Sequence, residues 1–428
     1  MITSGAFSGR SYAVYGLARS GLATVEALLA GGASVMAWDE KEEARQKLRP
    51  TAEAALRIAD PLVTSLYGFA GIVVSPGVPL NRHPIAARAR EAKVPLTGDI
   101  ELFAQARASL PPHKVVGITG TNGKSTTTAL IHHIARTAGI PTLMGGNIGL
   151  PILAQDPLPA GGVYVLELSS YQIDLTQSLD CEVAVLLNVS PDHLDRYDGM
   201  DDYAGSKARL FAMQSQRHAA VIAGDDDYTR ALAGAITGRL VLVSARDVKD
   251  SSQWPSLQGP HNAQNVAAAV AAARELGVAD AAIAQALESF PGLPHRMERV
   301  AERGGVLFVN DSKATNPASA APALAAYPAV HWILGGRPKS DDLDACEPWL
   351  GHVRAAYTIG EAGPRFAALL RPRVAVSECG ELGRAVGAAA AAAREGEVVL
   401  LSPACASFDQ FTDYEARGNA FRAAVEAL

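Results

Sequence analysis

The stretch GITGTNGKSTT, Gly117 to Thr127, sets one lysine and a run of hydroxyls beside closely spaced glycines. In a strand–loop–helix turn of that composition, successive backbone N–H groups and the helix N-terminus surround anionic oxygens. The lysine adds a point charge, and the next hydroxyl can ligate Mg2+. Lys124 and Ser125 stand in those two places, with Gly120, Thr121, Asn122, Gly123 and Thr126 forming the rest of the loop. The spacing departs from the usual pattern, which asks for glycine at the position of Ile118. Gly117, Gly120 and Gly123 still let the chain curl through positive φ, so the stretch reads as a variant nucleotide-phosphate loop, against a purely structural turn.

Phosphoryl transfer also needs hard oxygen ligands for a metal. Glu167 closes the apolar run VYVLELSS, and Asp192, His193 and Asp195 follow the next run in LNVSPDHLDR. An acid at the carboxyl end of a parallel strand faces the crevice where ligands collect, although a solvated strand end is the plain alternative. Oxygen-rich surroundings favour Mg2+ over zinc. Further on, NDSKATNP (310–317), GGRPKSDD (335–342) and SPACASFDQF (402–411) each follow an apolar run. Any one of them could be an ordinary turn. Together they offer Lys313, Lys339 and Ser407 to one crevice, which suits a substrate bearing carboxylates.

The elements that must position these residues are short apolar runs alternating with helical patterns, the signature of parallel α/β sheets. Strands are expected at SYAVYG, ASVMAWD, GIVVS, KVPLT, KVVGIT, GVYVLELSS, CEVAVLLNVS, HAAVIAG, VLFVNDS, VHWILGG, AAYTIG, RVAVS and EVVLLSP, and helices at DIELFAQARASLPPHK and NAQNVAAAVAAARELG. The opening block looks like a dinucleotide-binding turn with Gly16 and Gly21 but Ala18 at the middle glycine, and Asp39 ends its second strand, where a ribose-binding carboxylate would sit. A nicotinamide site, another nucleotide and a simple tight turn all remain open for it.

With 428 residues, the chain should form about three domains. They are expected at 1–102, 103–291 and 292–428. A hydrophobic share of 48%, 19% charged residues and a net charge of −6 suit a soluble globular protein and argue against nucleic acid as the main partner. Cys181, Cys346, Cys379 and Cys405 form no CxxC pair, and no secretory segment precedes them, so a reducing cytoplasm is expected. The Ala-rich GRAVGAAAAAAREGE is bracketed by charges and is shorter than the roughly 20 residues of a membrane span.

GITGTNGKSTT, GGNIG, ELSSYQ, NVSPDHLDR, SKARLF, HNAQN, GLPHRME, NDSKATN and SPACASFDQF occur in the order and at about the spacing of the Mur ligase family, and the chain resembles that family almost from end to end. The last two motifs are most similar to the members that join D-glutamate to UDP-N-acetylmuramoyl-L-alanine.

The resemblance implies a three-domain α/β fold. A Rossmann-like N-terminal domain would bind UDP, a central P-loop domain ATP, and a Rossmann-like C-terminal domain the amino acid. It implies an acyl phosphate and a tetrahedral intermediate, cytoplasmic peptidoglycan precursor synthesis, a monomer, and Mg2+ at two sites. Lys124, Glu167, His193 and Lys207 are the implied catalytic residues, and Ser125, Glu167, His193 and a carbamylated Lys207 the metal-site residues. Asn262, Asn265, Arg296 and Asp311 resemble further ATP contacts. Leu17, Ala18, Asp39, Ser75, Gly77, Asn147, Ser169 and Gln172 fall on the UDP-substrate side. Lys313, Thr315, Lys339, Ser407 and Tyr414 fall on the D-glutamate side. Tyr414 replaces the phenylalanine of the family pattern, and Glu40-Lys41 replaces the Thr-Arg that follows the aspartate. The UDP role sets aside the nicotinamide reading. The competing readings are a ligase of the same family with another amino acid, and a nucleotide-dependent switch or binding protein.

Overall fold

The computed structural model describes residues 1–48 and 55–428. The chain divides into two compact units, Met1–Asp247 with Gln264–Ala286, and Val248–Ala263 with Leu287–Leu428.

The first unit holds two wholly parallel sheets. One contains β1 (Ser11–Tyr15), β2 (Ser34–Trp38), β3 (Leu56–Ile58), β4 (Gly71–Val74) and β5 (Leu96–Thr97) in the order β3-β2-β1-β4-β5. The other contains β6 (His113–Thr119), β7 (Thr142–Gly146), β8 (Gly162–Glu167), β9 (Val183–Leu186), β10 (Ala219–Ala223) and β11 (Arg239–Val243) in the order β11-β10-β9-β6-β8-β7. β8 and β9 are buried at every residue, as expected for strands covered by helices on both faces.

The helix Asp99–Ala106 ties these two sheets together. Its Leu102 and Phe103 are fully buried in a core that also takes in Val14 and Val35 of the first sheet and Tyr164 and Leu166 of the second. Phe103 meets Tyr164 edge-on with ring centroids 5.1 Å apart. Burying each such side chain stabilises the fold by about 1.5–3 kcal/mol. Glu101 of the same helix accepts the backbone N–H groups of Gln177 (2.7 Å) and Ser178 (2.9 Å). The helix thus runs across the 102/103 point taken from the sequence.

The second unit carries β12 (Glu298–Arg303), β13 (Val306–Asn310), β14 (Val330–Gly335), β15 (Val353–Ile359), β16 (Ala375–Gly380) and β17 (Val398–Leu401), ordered β12-β13-β17-β14-β15-β16. All pairs are parallel except β12 with β13, which are antiparallel.

Two local expectations change. KVPLT contributes only Leu96 and Thr97 as a strand, because Lys93 turns left-handed (φ 54°) to end the preceding helix and Pro95 has no N–H for a ladder. Gly117 does not turn through positive φ. It lies inside β6, where a Cβ would come within 2.8 Å of Cys181 Sγ.

Candidate functional site

β6 extends through Thr119, so Ile118 is a strand residue with its side chain wholly buried. The loop therefore starts later than the usual pattern would place it, and glycine at 118 is not needed. Gly120 (φ 149°) and Gly123 (φ 83°) make the turn. A Cβ on Gly123 would stand 2.1 Å from Asn265 Oδ1, so helix Pro260–Glu275 closes directly on the loop. Asn188 braces the other side: its carbonyl accepts Thr121 N–H (2.8 Å) and its Oδ1 accepts Asn122 N–H (2.8 Å). Ser125 is buried in the first turn of helix Lys124–Thr137, with Thr126 half-buried beside it.

Two lysines converge on one carbonyl. Lys124 Nζ donates to Gly120 O (2.8 Å) and Thr121 O (2.7 Å), and Lys207 Nζ donates to the same Gly120 O (3.0 Å). Lys207 is 1% exposed and lies 4.2 Å over the Tyr203 ring, whose hydroxyl meets Thr121 Oγ1 at 3.2 Å. Burial, and then the charge of Lys124, push the Lys207 amine well below the usual lysine range. His193 sits left-handed (φ 56°) with its ring centroid 5.0 Å from that of Tyr171. Burial lowers its pKa against the pull of Asp192, and both lysines push the same way as burial, which keeps the imidazole in its metal-binding neutral form.

Glu167 ends β8 opposite Ile118 in the ladder. It is 3% exposed; Oε1 accepts Asn147 Nδ2 at 3.2 Å, while Oε2 is buried with no hydrogen-bond partner. An unsatisfied buried carboxylate oxygen costs free energy unless a cation takes it up. The donor set therefore fits a hard divalent ion. Among the described residues no three His, Cys, Asp or Glu side chains gather as metal ligands. Such an ion would take Glu167 and His193 together with hydroxyl or phosphate oxygens.

Gly146 holds this geometry in place. At φ 85°, its would-be Cβ lies 2.1 Å from Glu167 O, and Asn147 N–H donates to that same oxygen (2.8 Å). Gly146→Ala is expected to lower stability by about 2 kcal/mol or more, read as a fall in the thermal midpoint. A midpoint equal to the parent protein's would refute the close approach.

In the first sheet, Leu17 N–H donates to Asp39 Oδ2 (2.7 Å), joining the ends of β1 and β2. Ala18 caps helix Arg19–Ala30 with backbone alone. Ser75 Oγ donates to Gly16 O (2.9 Å), and Gly77 O accepts Arg196 Nη2 (2.9 Å), which brings the 75–78 turn to the loop that carries His193. Ser169 and Gln172 form a reciprocal cap on the helix Ser170–Asp174.

The second unit gathers the remaining residues, apart from Asn265. Asp311 is buried, accepting Met297 N–H (3.2 Å) on Oδ1 and Ser402 Oγ–H (2.8 Å) on Oδ2. Burial pushes its carboxyl up to about 7, against the Ser402 hydrogen bond and the nearby Arg296 charge. His295 (φ 62°) and Met297 (φ 47°) flank Arg296 in left-handed conformations uncommon for such residues. Lys313 Nζ donates to Tyr414 Oη (2.9 Å), and Lys339 Nζ to Thr315 Oγ1 (3.4 Å). Ser407 lies buried in the next loop, which is joined to the Lys339 loop by reciprocal Arg337–Ala406 backbone bonds of 2.9 and 3.0 Å. Asn262 is also in this unit, its Nδ2 donating to Gln258 O (2.9 Å).

Several residues that shape the site are given no role by the sequence, Asn188 among them although it opens the motif NVSPDHLDR. Asn188 and Tyr203 brace the phosphate loop. Arg417, 1% exposed, donates to Ser312 Oγ (3.0 Å), Ser312 O (2.8 Å) and Cys405 O (3.1 Å), holding two of the strand-end loops in register. A basic residue in a helical pattern reads as solvated until the loops that bury it are placed.

Residues 118–254 match the Mur ligase middle domain, and residues 295–405 match the Mur ligase glutamate ligase domain. The chain belongs to the Mur ligase family. It is 65% identical, over all of its length and 97% of the relative's, to a protein of Novosphingobium aromaticivorans named UDP-N-acetylmuramoylalanine--D-glutamate ligase. A protein of the same name from Zymomonas mobilis is 60% identical with both chains fully covered. Among solved structures, the UDP-N-acetylmuramate-alanine ligase MurC of Thermotoga maritima is similar in fold, with a TM-score of 0.60 at 17% identity, covering 98% of this chain and 99% of that one. Among the described residues no helix is long and apolar enough to cross a membrane.

Proposed function

We propose that this protein ligates D-glutamate to UDP-N-acetylmuramoyl-L-alanine at the expense of ATP, a step in peptidoglycan precursor synthesis. The observation that carries this reading is the meeting of Lys124 and Lys207 on Gly120 O, two residues past the strand position that faces Glu167 and its open oxygen. Cations and a hard ligand are thereby concentrated where a triphosphate tail would lie on the loop. The end-to-end likeness to proteins named for this ligation supports the choice of substrates.

A carboxylate is a poor electrophile until one of its oxygens becomes a leaving group. In the proposed reaction, a carboxylate oxygen of the UDP-substrate attacks the γ-phosphorus of ATP and ADP departs, which leaves an acyl phosphate. The amine of D-glutamate then adds to the acyl carbon. The tetrahedral intermediate expels phosphate, the nitrogen gives up its proton, and an amide results. Lys124 turns from its own loop carbonyls to the phosphate oxygens and offsets the charge that builds as two anions approach. Mg2+, when bound, supplies further charge neutralisation at those oxygens.

Ser125, Glu167, His193 and a carbamylated Lys207 would hold the metal at two sites. Lys207 suits that modification because its amine is buried and shifted toward the neutral form. Further ATP contacts are assigned to Asn262, Asn265, Arg296 and Asp311, with Asp311 at the ribose and Arg296 at phosphate. The UDP-substrate is assigned to the first sheet's turn with Asn147, Ser169 and Gln172, and the amino acid to Lys313, Thr315, Lys339, Ser407 and Tyr414.

A panel of amino acids incubated with UDP-N-acetylmuramoyl-L-alanine and ATP tests the reading by product mass. The expected outcome is one new mass, with D-glutamate, and ADP release that requires both other substrates. Product with a different amino acid would reassign the acceptor. ADP release indifferent to sugar nucleotide and amino acid would instead mark a nucleotide switch.

A further inference from the structure

Glu167, His193 and Lys207 stand on three separate segments, and the carboxylate of Asp174 joins those segments. Asp174 ends helix Ser170–Asp174, the short helix into which the chain runs from Glu167 at the end of β8. Its Oδ2 accepts Tyr197 Oη–H (2.8 Å), and its Oδ1 accepts Ser206 Oγ–H (2.7 Å). Tyr197 belongs to the loop that carries His193, and Ser206 immediately precedes Lys207 in helix Gly199–Ala212. Ser206 is 5% exposed, and the longer alternative for its hydroxyl, Ser170 O at 3.2 Å, lies on the same short helix as Asp174.

The helix itself gives no reason for an acid at that place, because a carboxylate at the carbonyl end of a helix gains nothing from its dipole. The two hydroxyls from distant segments do account for it. Hydrogen bonds to an ionised acceptor are shorter and roughly twice as strong as neutral ones, so they fix the groups they join.

Tyr171, on the same helix, extends the link to the imidazole. Its ring stacks on Tyr197 (centroids 6.0 Å apart, planes 11° apart) and meets the His193 ring at 5.0 Å. Arg196 lies 4.6 Å over the Tyr171 ring while it donates to Gly77 O and Val78 O. Tyr197 also packs at 5.3 Å against Tyr203, the ring beneath the Lys207 amine. His193 has left-handed backbone in an irregular loop, so these neighbours set where its ring stands.

This inference rests on the reading that His193 and Lys207 serve the ligation. We propose that Asp174 is a positioning residue for that reaction: by holding Tyr197 and Ser206 on its two oxygens, it fixes His193 and Lys207 at the separation that phosphoryl transfer uses.

Two measurements test it, steady-state turnover and the imidazole NMR signal of His193 in protein free of nucleotide and metal. Asp174→Ala is expected to lower kcat by about ten- to a hundredfold, with KM for D-glutamate within about twofold of the parent's. Asp174→Asn, whose amide still accepts from one hydroxyl, should fall between the two. Tyr197→Phe combined with Ser206→Ala should lower kcat as far as Asp174→Ala does, and adding Asp174→Ala to that pair should cost less than about twofold more. The His193 signal, single and sharp in the parent, should broaden or split in Asp174→Ala. Should Asp174→Ala fail to fold, Asp174→Asn and the hydroxyl pair carry the same comparisons. A merely stabilising Asp174 would lower the thermal midpoint and leave kcat and the His193 signal as in the parent. That result, or a full further loss on top of the hydroxyl pair, overturns the positioning role and leaves the ligase reading intact. Parent protein that forms no product with D-glutamate overturns that reading, and this inference with it.

Discussion

Lys124→Ala is expected to lower product formation by about a thousandfold or more, with the loss in turnover larger than the loss in apparent ATP affinity. The lysine sits at the N-terminus of helix Lys124–Thr137, its amine held by two carbonyls of its own loop and within electrostatic reach of His193 and Lys207. A cation in that position acts most strongly when charge spreads over the transferring phosphoryl group, which is why turnover should suffer most. Steady-state kinetics with coupled ADP detection check this. Near-normal turnover in the variant would remove Lys124 from the reaction and with it the proposed phosphate site. The fold should persist, since Asn188, Thr121 and Asn265 brace the loop independently.

Lys207→Ala is expected to lose activity by at least about a hundredfold and to regain part of it with millimolar formate, acetate or propionate. A short carboxylate can enter the space of the lost side chain and stand in for a carbamate as an oxygen ligand. Carbamate formation draws on the unprotonated amine, and the folded-state shift is downward, so depleting CO2 or lowering pH should depress the parent enzyme's activity reversibly. Arginine at 207 distinguishes the alternatives. It keeps the charge and cannot be carbamylated in this way, so retained activity in Lys207→Arg would show that a plain cation suffices.

Much of the fold was legible because parallel strands buried on both faces are written as near-continuous apolar runs. β8 and β9 stand where GVYVLELSS and CEVAVLLNVS predict them. The strands that pass unnoticed are the poorly covered ones. β11 is largely exposed, β12 is an edge strand with a charged pair at each end, and β7 ends in two glycines. Their apolar signal is weak because their burial is partial. β7 matters for function all the same, since its end carries Gly146 and Asn147 to Glu167.

The phosphate loop shows the same division at higher resolution. Gly123, Lys124 and Ser125 announce their chemistry by type and spacing, and the motifs around Glu167 and His193 place those residues at strand ends. Ile118 reads as a defect until β6 is seen to run two residues past Gly117, which shows that the loop begins later. Tyr203 and Arg417 have no motif to announce them, and Asn188 opens NVSPDHLDR without a chemistry of its own there, because each acts by bracing loops that are distant in the chain.

The order of residues alone determined the β-α alternation, the phosphate loop and the inventory of cations and acids at strand ends, because those depend on local periodicity and on neighbours a few positions apart. Tertiary structure decided that Lys207, 87 positions from Gly120, shares that residue's carbonyl with Lys124. It also decided that Glu167 keeps an oxygen open and that Asp174 joins Tyr197 to Ser206. Those properties come from desolvation and long-range contact, which exist only once distant segments have packed.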